Sequence, residues 1–563
     1  MNETRSMTYD YIIVGAGVAG CVLASRLTAR DDVQVLLLEA GKDIPVGAEP
    51  SDILDNYPTS YYNKSYTWPG LKASWKKRQD GIGHFPQGRI MGGGGSIMGM
   101  VSLRGTPEDY ADWQKAGAKH WSWQDVLPFY RKLETDWNFQ NEFHGQDGPI
   151  PIRRLPQDQW PPLSKAMAQY AKQEGIAFIA DMNSEFADGL GSVPMCNTQT
   201  RRASSALCYL TAEVRSRKNL TILTDSPVKK ILFEGTQAIG VELFDQPDKS
   251  YLAKEIIVST GGIFSPSLLM RSGIGDQQRL KELQIPLIQH RPGVGQNLQN
   301  HATLFIGFHL KKKARQSKTL RTHPSVSFRY SSNLPNCAPG DLYVNIQSKT
   351  SWNAMGEQIG NLAPNLLRPK SIGQVELDPQ NVFGNPLVEF NFLDHPDDLE
   401  RLKMVFIFAV KILLDPQISA CMGTPFPVRF SDRLRLLNEY TTQNARKANT
   451  LSNLLAIFPW ASDLVLSRLT GDHLDLAKLI QDDQALEAHI RDNVAGLFHP
   501  VGTCRMGSSE DLQAVVNDEG LVHGVQHLRV VDASIMPNLI AGNTNIPTIM
   551  VAEKIAATIL EKT

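Results

Sequence analysis

The heptapeptide VGAGVAG, residues 14–20, constrains the fold of this chain more than any other stretch. It follows a short apolar run at 11–14 and opens a segment, 18–27, whose apolar residues recur at helical spacing; residues 33–38 then read as a second buried strand. Two strands joined through a helix are parallel, because an antiparallel pair needs only a tight turn. Gly15 permits the turn, Gly17 lets the backbone approach a pyrophosphate, and Gly20 allows close packing of helix on strand. The helix N-terminus offers N–H groups to the anion. Glu39 closes the second strand, where a carboxylate accepts hydrogen bonds from an adenosine ribose. The unit predicts a dinucleotide site and leaves NAD and FAD both open.

At 563 residues the chain exceeds what one hydrophobic core of ~250–300 residues organises, so two domains are expected. A formal net charge of -1 gives no electrostatic reason to bind nucleic acid or an anionic membrane, and points to a small-molecule partner. Cysteines 21, 196, 208, 337, 421 and 504 stand singly, with no CxxC pair and no dense disulfide framework, so reduced thiols are expected. The polar N-terminus, MNETRSMTYD, leaves no room for an apolar targeting segment before residue 11, and no run reaches ~18 apolar residues. A cytoplasmic protein without a transmembrane segment is expected.

Further glycine-rich motifs follow. In GRIMGGGGSIMGM, 88–100, four consecutive glycines make poor helix or strand and predict a loop brought close to a ligand. Residues 228–244 read as a hairpin around a Gly-Thr turn, and 109–132 as a helical or loop excursion. The Pro- and Gly-rich stretch 145–162 reads as a connection. STGGIFSPSLLMRSGIG, 259–275, is a strand end, a turn and a helix. Near the C-terminus lie LFHPVGTCRMG (497–507), LRVVDASIMP (528–537) and AGNTNIPTIMVAEKIAATIL (541–560), the last a helix beginning near Pro547. Its dipole favours negative charge in front of it. Residues 451–467 form an apolar stretch broken by Pro459, read as two kinked core helices, a lid, an oligomer contact or a membrane-surface helix.

Together with PGVGQNLQNH (292–301), these motifs, in order from residue 11 to 560, resemble the glucose-methanol-choline (GMC) oxidoreductases, most nearly the bacterial oxidases of 5-hydroxymethylfurfural and aryl alcohols. The resemblance implies an α/β FAD-binding Rossmann-like domain of residues 1–155, 200–302 and 495–563. A substrate-binding α+β domain of 156–199 and 303–494 would carry an antiparallel sheet. It implies noncovalent FAD. Gly15, Gly17, Val18, Ala19 and Gly20 would meet the pyrophosphate, Glu39 and Ala40 the ribose, and Val228 the adenine. Arg89, Met91, Gly92, Gly95, Ser96, Met98, Gly99, Met100 and Val101 would line the isoalloxazine and ribityl side. Asp532 and Ala533 would hold the pyrophosphate and ribityl region, with Asn543, Thr544 and Asn545 near the ring. Two positions depart from the pattern. Met98 stands where Asn or His is usual, removing a polar contact, and Ile97 excludes the flavin-linked histidine found in some choline-oxidising relatives.

An alcohol gives up hydride readily only when its hydroxyl proton leaves too, so a base must sit beside the oxygen and an acceptor beside the carbon. By resemblance His499 is that base and Asn543 donates to the developing alkoxide; Phe498 meets the substrate. Taken alone, His499 reads more readily as a structural loop cap than as a base, His301 reads as structural, and Cys504 as a small buried hydrophobe. The expected reaction is oxidation of a primary aromatic or furanic alcohol to the aldehyde, with O2 as acceptor. A dehydrogenase using a quinone or another carrier, a hydroxynitrile-lyase-like member and a flavin-binding protein without turnover are the alternatives.

Overall fold

The computed structural model describes residues 8–76, 82–428, 432–457 and 475–562. Five strands run parallel, in the spatial order Leu220–Leu223, Val35–Leu38, Thr8–Val14, Ser250–Val258 and Leu528–Val530. Ile12, Ile13, Leu36, Leu37, Ile256 and Ile257 are fully buried, as expected where helices cover both faces of a parallel sheet. One cover is Val18–Leu27, which packs on the C-terminal helix Asn545–Lys562. The predicted hairpin forms from Val228–Glu234 and Gln237–Leu243 and joins the early part of Ser250–Val258 antiparallel.

The consequence for function lies at the carboxyl ends of these strands. Gly15 follows Thr8–Val14, Glu39 follows Val35–Leu38, Ser259 and Thr260 follow Ser250–Val258, and Asp532 follows Leu528–Val530 by two residues. Parallel register puts all four segments on one edge, the place where open α/β sheets bind ligands.

A second, nine-stranded sheet takes its strands from Phe178–Ile179, Gly189–Ser192 and the segments between 302 and 427, with Ala495–Gly496. Its pairs are antiparallel apart from Phe178–Ile179 with Gly189–Ser192. The helix Pro396–Leu414 packs on its strand Ile359–Leu366. The α/β class with a second, antiparallel sheet therefore holds.

One local expectation changes and another is narrowed. The glycine run is not all loop: after Gly92 and Gly93, both at positive φ, Gly94–Ile97 makes one helical turn. Ser96 Oγ donates to Met91 O at 2.8 Å, tying the turn to the strand-like segment before it. The excursion at 109–132 resolves into two helices, Pro107–Lys115 and Trp123–Leu133, each opened by a capping box, at Thr106 and at Ser122. Of the apolar stretch 451–467, residues up to 457 belong to the helix Thr442–Ile457, while 458–467 lie outside the described residues. Among the described residues no helix is long and apolar enough to cross a membrane.

A buried ion cluster braces the segment behind the glycine turn. Arg104, Glu134, Asp136, His144, Arg154 and Asp181 are each at most 4% exposed. Arg104 pairs with Glu134; Arg154 bridges Asp136 at 2.8 Å and Asp181 at 2.6 Å; His144 reaches Asp181 at 2.7 Å and Glu134 at 2.9 Å. Burial opposes charge on His144, but hydrogen bonds to Asp136, Asp181 and Glu134 overrule it and push its pKa up to about 10. Three cations thus match three carboxylates. Ligand atoms of Glu134, Asp136 and His144 lie within 4.8 Å of one another, yet this internal neutrality makes the group a structural cluster. A raised folded-state pKa contributes stability that is full below the unfolded value of ~6.5. Thermal stability should therefore decline as pH rises from there toward about 10. His144→Leu, which strands the carboxylates, should cost ~3–5 kcal/mol and flatten that decline in a melting series across pH.

Candidate active site

The dinucleotide cradle is made by close backbone approach. Gly15 has φ 96° and donates to Leu38 O at 2.7 Å; a Cβ there would lie 2.6 Å from Ser259 O. A Cβ at Gly20 would lie 1.9 Å from Gly15 O, so helix and turn meet at van der Waals distance only without one. Gly17 caps Val18–Leu27 with no side-chain hydrogen bond, leaving the first N–H groups, at Val18 and Ala19, directed out of the helix. Gly93, φ 52°, faces it: a Cβ on Gly93 would stand 3.1 Å from Gly17 Cα. A Cβ on Gly17 or Gly94 would meet nothing closer than 3.6 Å, and one on Gly99 nothing within 4 Å. These backbones border open space of the kind a dinucleotide fills.

Glu39 ends its strand inside this cradle, accepting from Ala16 N at 2.9 Å and Gly41 N at 2.8 Å; burial raises its pKa despite those bonds. Ala40 O accepts from Arg89 Nε at 3.0 Å, and the Arg89 guanidinium lies over the Trp68 ring. Ser226 N donates to Glu39 O, two residues before Val228. Gly92 N donates to Ala16 O at 2.6 Å, which fixes the glycine turn against the first strand-to-helix turn. Asp532 accepts from Gly261 N, Ser265 Oγ and Ser534 N, and Ala533 begins the short helix Ala533–Ile535. Gly95 sits where a Cβ would be 3.1 Å from Asn545 Oδ1, a buried oxygen without a hydrogen-bond partner. Met100 O accepts from Cys196 N, and Val101 bridges Met195. Met98 packs its side chain against the core, and Thr544 O accepts from Thr548. The orphan Asn545 oxygen, the uncapped helix and the Cβ-free walls fit FAD.

Sequence motifs did not mark Arg202. Fully buried, it donates through Nη1 to Gly95 O at 3.2 Å and Met98 O at 2.6 Å, so one guanidinium holds the glycine turn by its carbonyls. Nor did they mark Tyr61 and Phe85, whose rings lie 5.4 and 5.8 Å from that of Phe498. Their signal was spatial only.

The structure brings His499 and Asn543 together. Asn543 Nδ2 is 3.2 Å from His499 Nε2, and His499 Nδ1 is 2.9 Å from His301 Nδ1. His301 Nε2 is 3.0 Å from Ile540 O. Two backbone carbonyls act on His301, Ile540 first and then Leu367, and the protons are assigned from the stronger bond, Ile540 O to Nε2. A carbonyl only accepts, so His301 Nε2 carries a hydrogen; burial holds His301 neutral, its pKa down to about 4. Its Nδ1 is then bare and accepts from His499 Nδ1–H, which leaves the His499 Nε2 lone pair to accept from Asn543 Nδ2. Burial, and then the neighbouring His301, keep the His499 pKa well below its ordinary value. His301, expected to be structural, is hydrogen-bonded to His499 and so placed to set its tautomer. Asn300 Oδ1 accepts from His499 N at 3.1 Å and seats the same residue. Cys504 is fully buried, its pKa raised by that burial, as expected of a small hydrophobe.

Residues 9–303 and 369–552 match the two parts of the family described as GMC oxidoreductase. The chain is 36% identical to the 5-(hydroxymethyl)furfural oxidase of Methylovorus sp. (strain MP688), over 98% of each. It is 32% identical to the mitochondrial choline dehydrogenase of Mus musculus, over 97% of this chain and 89% of that one. Among solved structures, pyridoxine 4-oxidase from Mesorbium loti superposes with a TM-score of 0.80 at 26% identity, covering 98% of this chain and 99% of that one. The chain belongs to the GMC oxidoreductases, FAD-dependent enzymes acting on CH–OH donors.

Gly93→Val tests the cradle. A β-branched residue at φ 52° facing Gly17 costs ~1–3 kcal/mol of strain in addition to the clash. FAD affinity should fall at least about tenfold, measured by quenching of free flavin fluorescence on titration into the apoprotein.

Proposed function

We propose that this enzyme oxidises a primary aromatic or furanic alcohol to the aldehyde, with His499 as base. The observation that carries the reading is the approach of His499 Nε2 to the Asn543 carboxamide nitrogen, at 3.2 Å. An alcohol hydroxyl that sits beside both and replaces their mutual hydrogen bond gives its proton to Nε2, while Asn543 Nδ2 donates to the oxygen as negative charge gathers on it. Proton acceptance makes His499 an imidazolium that still donates from Nδ1 to His301. FAD, when bound, supplies the hydride acceptor. Gly15, Gly17, Gly20, Glu39, Asp532 and residues 91–101 and 543–545 would hold it. Ile97, a fully buried isoleucine, removes one known point of covalent attachment and supports noncovalent binding.

The rings of Phe498 and Tyr61, with the fully buried Phe85 packed behind Phe498, support a planar, apolar ring beside the alcohol carbon. The furfural oxidase relative supports O2 as electron acceptor, and the choline dehydrogenase relative supports the second reading, transfer to a quinone or another carrier. For the domain division, 1–155, 200–302 and 495–563 would form the FAD-binding part and 156–199 with 303–494 the substrate-binding part. The six free cysteines accord with a reducing compartment, the cytoplasm.

Mixed anaerobically with benzyl alcohol or hydroxymethylfurfural, the holoenzyme should lose its visible flavin band, and rapid recovery in air identifies the oxidase. No bleaching with any primary alcohol rejects the reading in favour of a lyase or binding role. His499→Ala should slow bleaching on the order of 100-fold or more with FAD retained. Because the base works in its neutral form and its pKa is depressed, the wild-type rate should stay level down through about pH 6.5 and fall only at more acid pH. A rate that drops on passing below neutrality, followed by stopped flow, contradicts that assignment.

A further inference from the structure

The peptide joining Ile540 to Ala541 is held at both polar atoms by buried side chains. Its carbonyl faces His301 Nε2 at 3.0 Å, and its N–H donates to Asp109 Oδ2 at 2.9 Å. Asp109, 3% exposed, lies in the first turn of Pro107–Lys115, where the same oxygen also accepts from Thr106 N at 2.7 Å. Its other oxygen, Oδ1, is 3.0 Å from Arg368 Nη2, which donates to Thr106 Oγ1 at 2.7 Å. Nε and Nη1 of Arg368 are buried without a hydrogen-bond partner, so the carboxylate is the counter-charge that keeps this guanidinium in place.

We propose that Asp109, held by Arg368, is a positioning residue for the oxidation, acting on His499 through the 540–541 peptide and His301. The proposal rests on His499 being the base. Read outward, the chain runs from the Arg368 guanidinium to the Asp109 carboxylate, to the peptide N–H, to its carbonyl, to His301, to His499 Nδ1. A carboxylate at the N–H end polarises the amide, strengthens its oxygen as an acceptor and so holds the proton on His301 Nε2. That keeps His301 Nδ1 bare and His499 Nε2 without a hydrogen. The reverse arrangement would set a bare His301 nitrogen against the Ile540 oxygen and put a hydrogen on His499 Nε2, against the Asn543 amide. When His499 takes a proton, the Asp109 carboxylate, which stands between it and Arg368 along the chain of hydrogen bonds, opposes the imidazolium's desolvation cost. The same bond places Ala541 two residues before Asn543, so one carboxylate aligns both groups beside the alcohol.

Other charged or titratable groups acting on Asp109 are Asp112 on its own helix, Arg329 from the second sheet, and Tyr110 and Tyr130. His499 faces His301. Two substitutions change the pair in opposite senses. Asp109→Asn retains an acceptor for Thr106 N and Ala541 N but leaves the Arg368 charge uncompensated, which disfavours the imidazolium. Arg368→Met leaves the carboxylate uncompensated, which favours it.

In anaerobic stopped flow with benzyl alcohol, Asp109→Asn should slow flavin reduction about tenfold, the size of outer-sphere losses elsewhere, with the alcohol dissociation constant changed less than twofold. The acid limb of the pH profile should move to lower pH by about one unit. Arg368→Met should move it to higher pH. The holoenzyme labelled with 15N-histidine, His499 identified by its loss in His499→Ala, should show the same opposite displacements in the titration of the ring itself. Should Asp109→Asn fail to bind FAD, Arg368→Met decides alone. Overturning results are a His499 titration unmoved in a folded variant, or moved the same way in both. A ring titration that moves while the acid limb does not would uphold the positioning and remove His499 as base.

Discussion

The hydrogen bond between His301 Nε2 and Ile540 O is the contact on which the chemistry of this molecule depends. The tautomer assigned to His499 follows from the fact that a carbonyl oxygen has nothing to donate, and its low pKa from burial. The bond also joins two distant parts of the chain. His301 precedes Ala302–Thr303, a strand of the second sheet, and Ile540 precedes the helix Asn545–Lys562, which covers the first. The site is therefore assembled only where both sheets are in place, and its tautomer is a property of the assembled molecule.

Around that contact the binding cradle is built on absence of side chains. Parallel register brings the ends of Thr8–Val14, Val35–Leu38, Ser250–Val258 and Leu528–Val530 to one edge. Glycine at 15, 20 and 93 lets these ends and the glycine turn approach to distances that a Cβ forbids. Polar groups then hold the backbone from behind: Arg202 takes the turn's carbonyls, Ser96 ties it to Met91, and Asp532 gathers the N–H of Gly261. Such bonds replace the core packing that glycine cannot provide.

Buried charge is used twice, at different distances from the reaction. The six-residue cluster around His144 balances its own charges and braces the chain beyond the glycine turn. The Arg368–Asp109 pair also balances, but one of its carboxylate oxygens is directed to a peptide that His301 reads. Both arrangements compensate desolvated ions with partners at hydrogen-bond distance, without which burial would be strongly unfavourable.

Much of the fold was legible in the sequence because its signals are local. The VGAGVAG turn, the helix Val18–Leu27, the Gly-Thr hairpin and the terminal helix each follow from residue spacing and from the conformations Gly and Pro impose. Motif resemblance likewise named His499 and Asn543. Spacing could not show that these two, with His301, would meet, since 44 and 198 residues separate the pairs. Nor could it mark Arg202, Tyr61 or Asp109, which carry no motif of their own and matter only through what the fold sets against them. By itself the sequence determined the parallel unit, the dinucleotide turn and the residue types available for chemistry, because backbone conformation is chosen locally. The tertiary structure alone decided which nitrogen of His499 faces Asn543 and which faces His301, because that depends on donors and acceptors delivered from both sheets to within 3.2 Å.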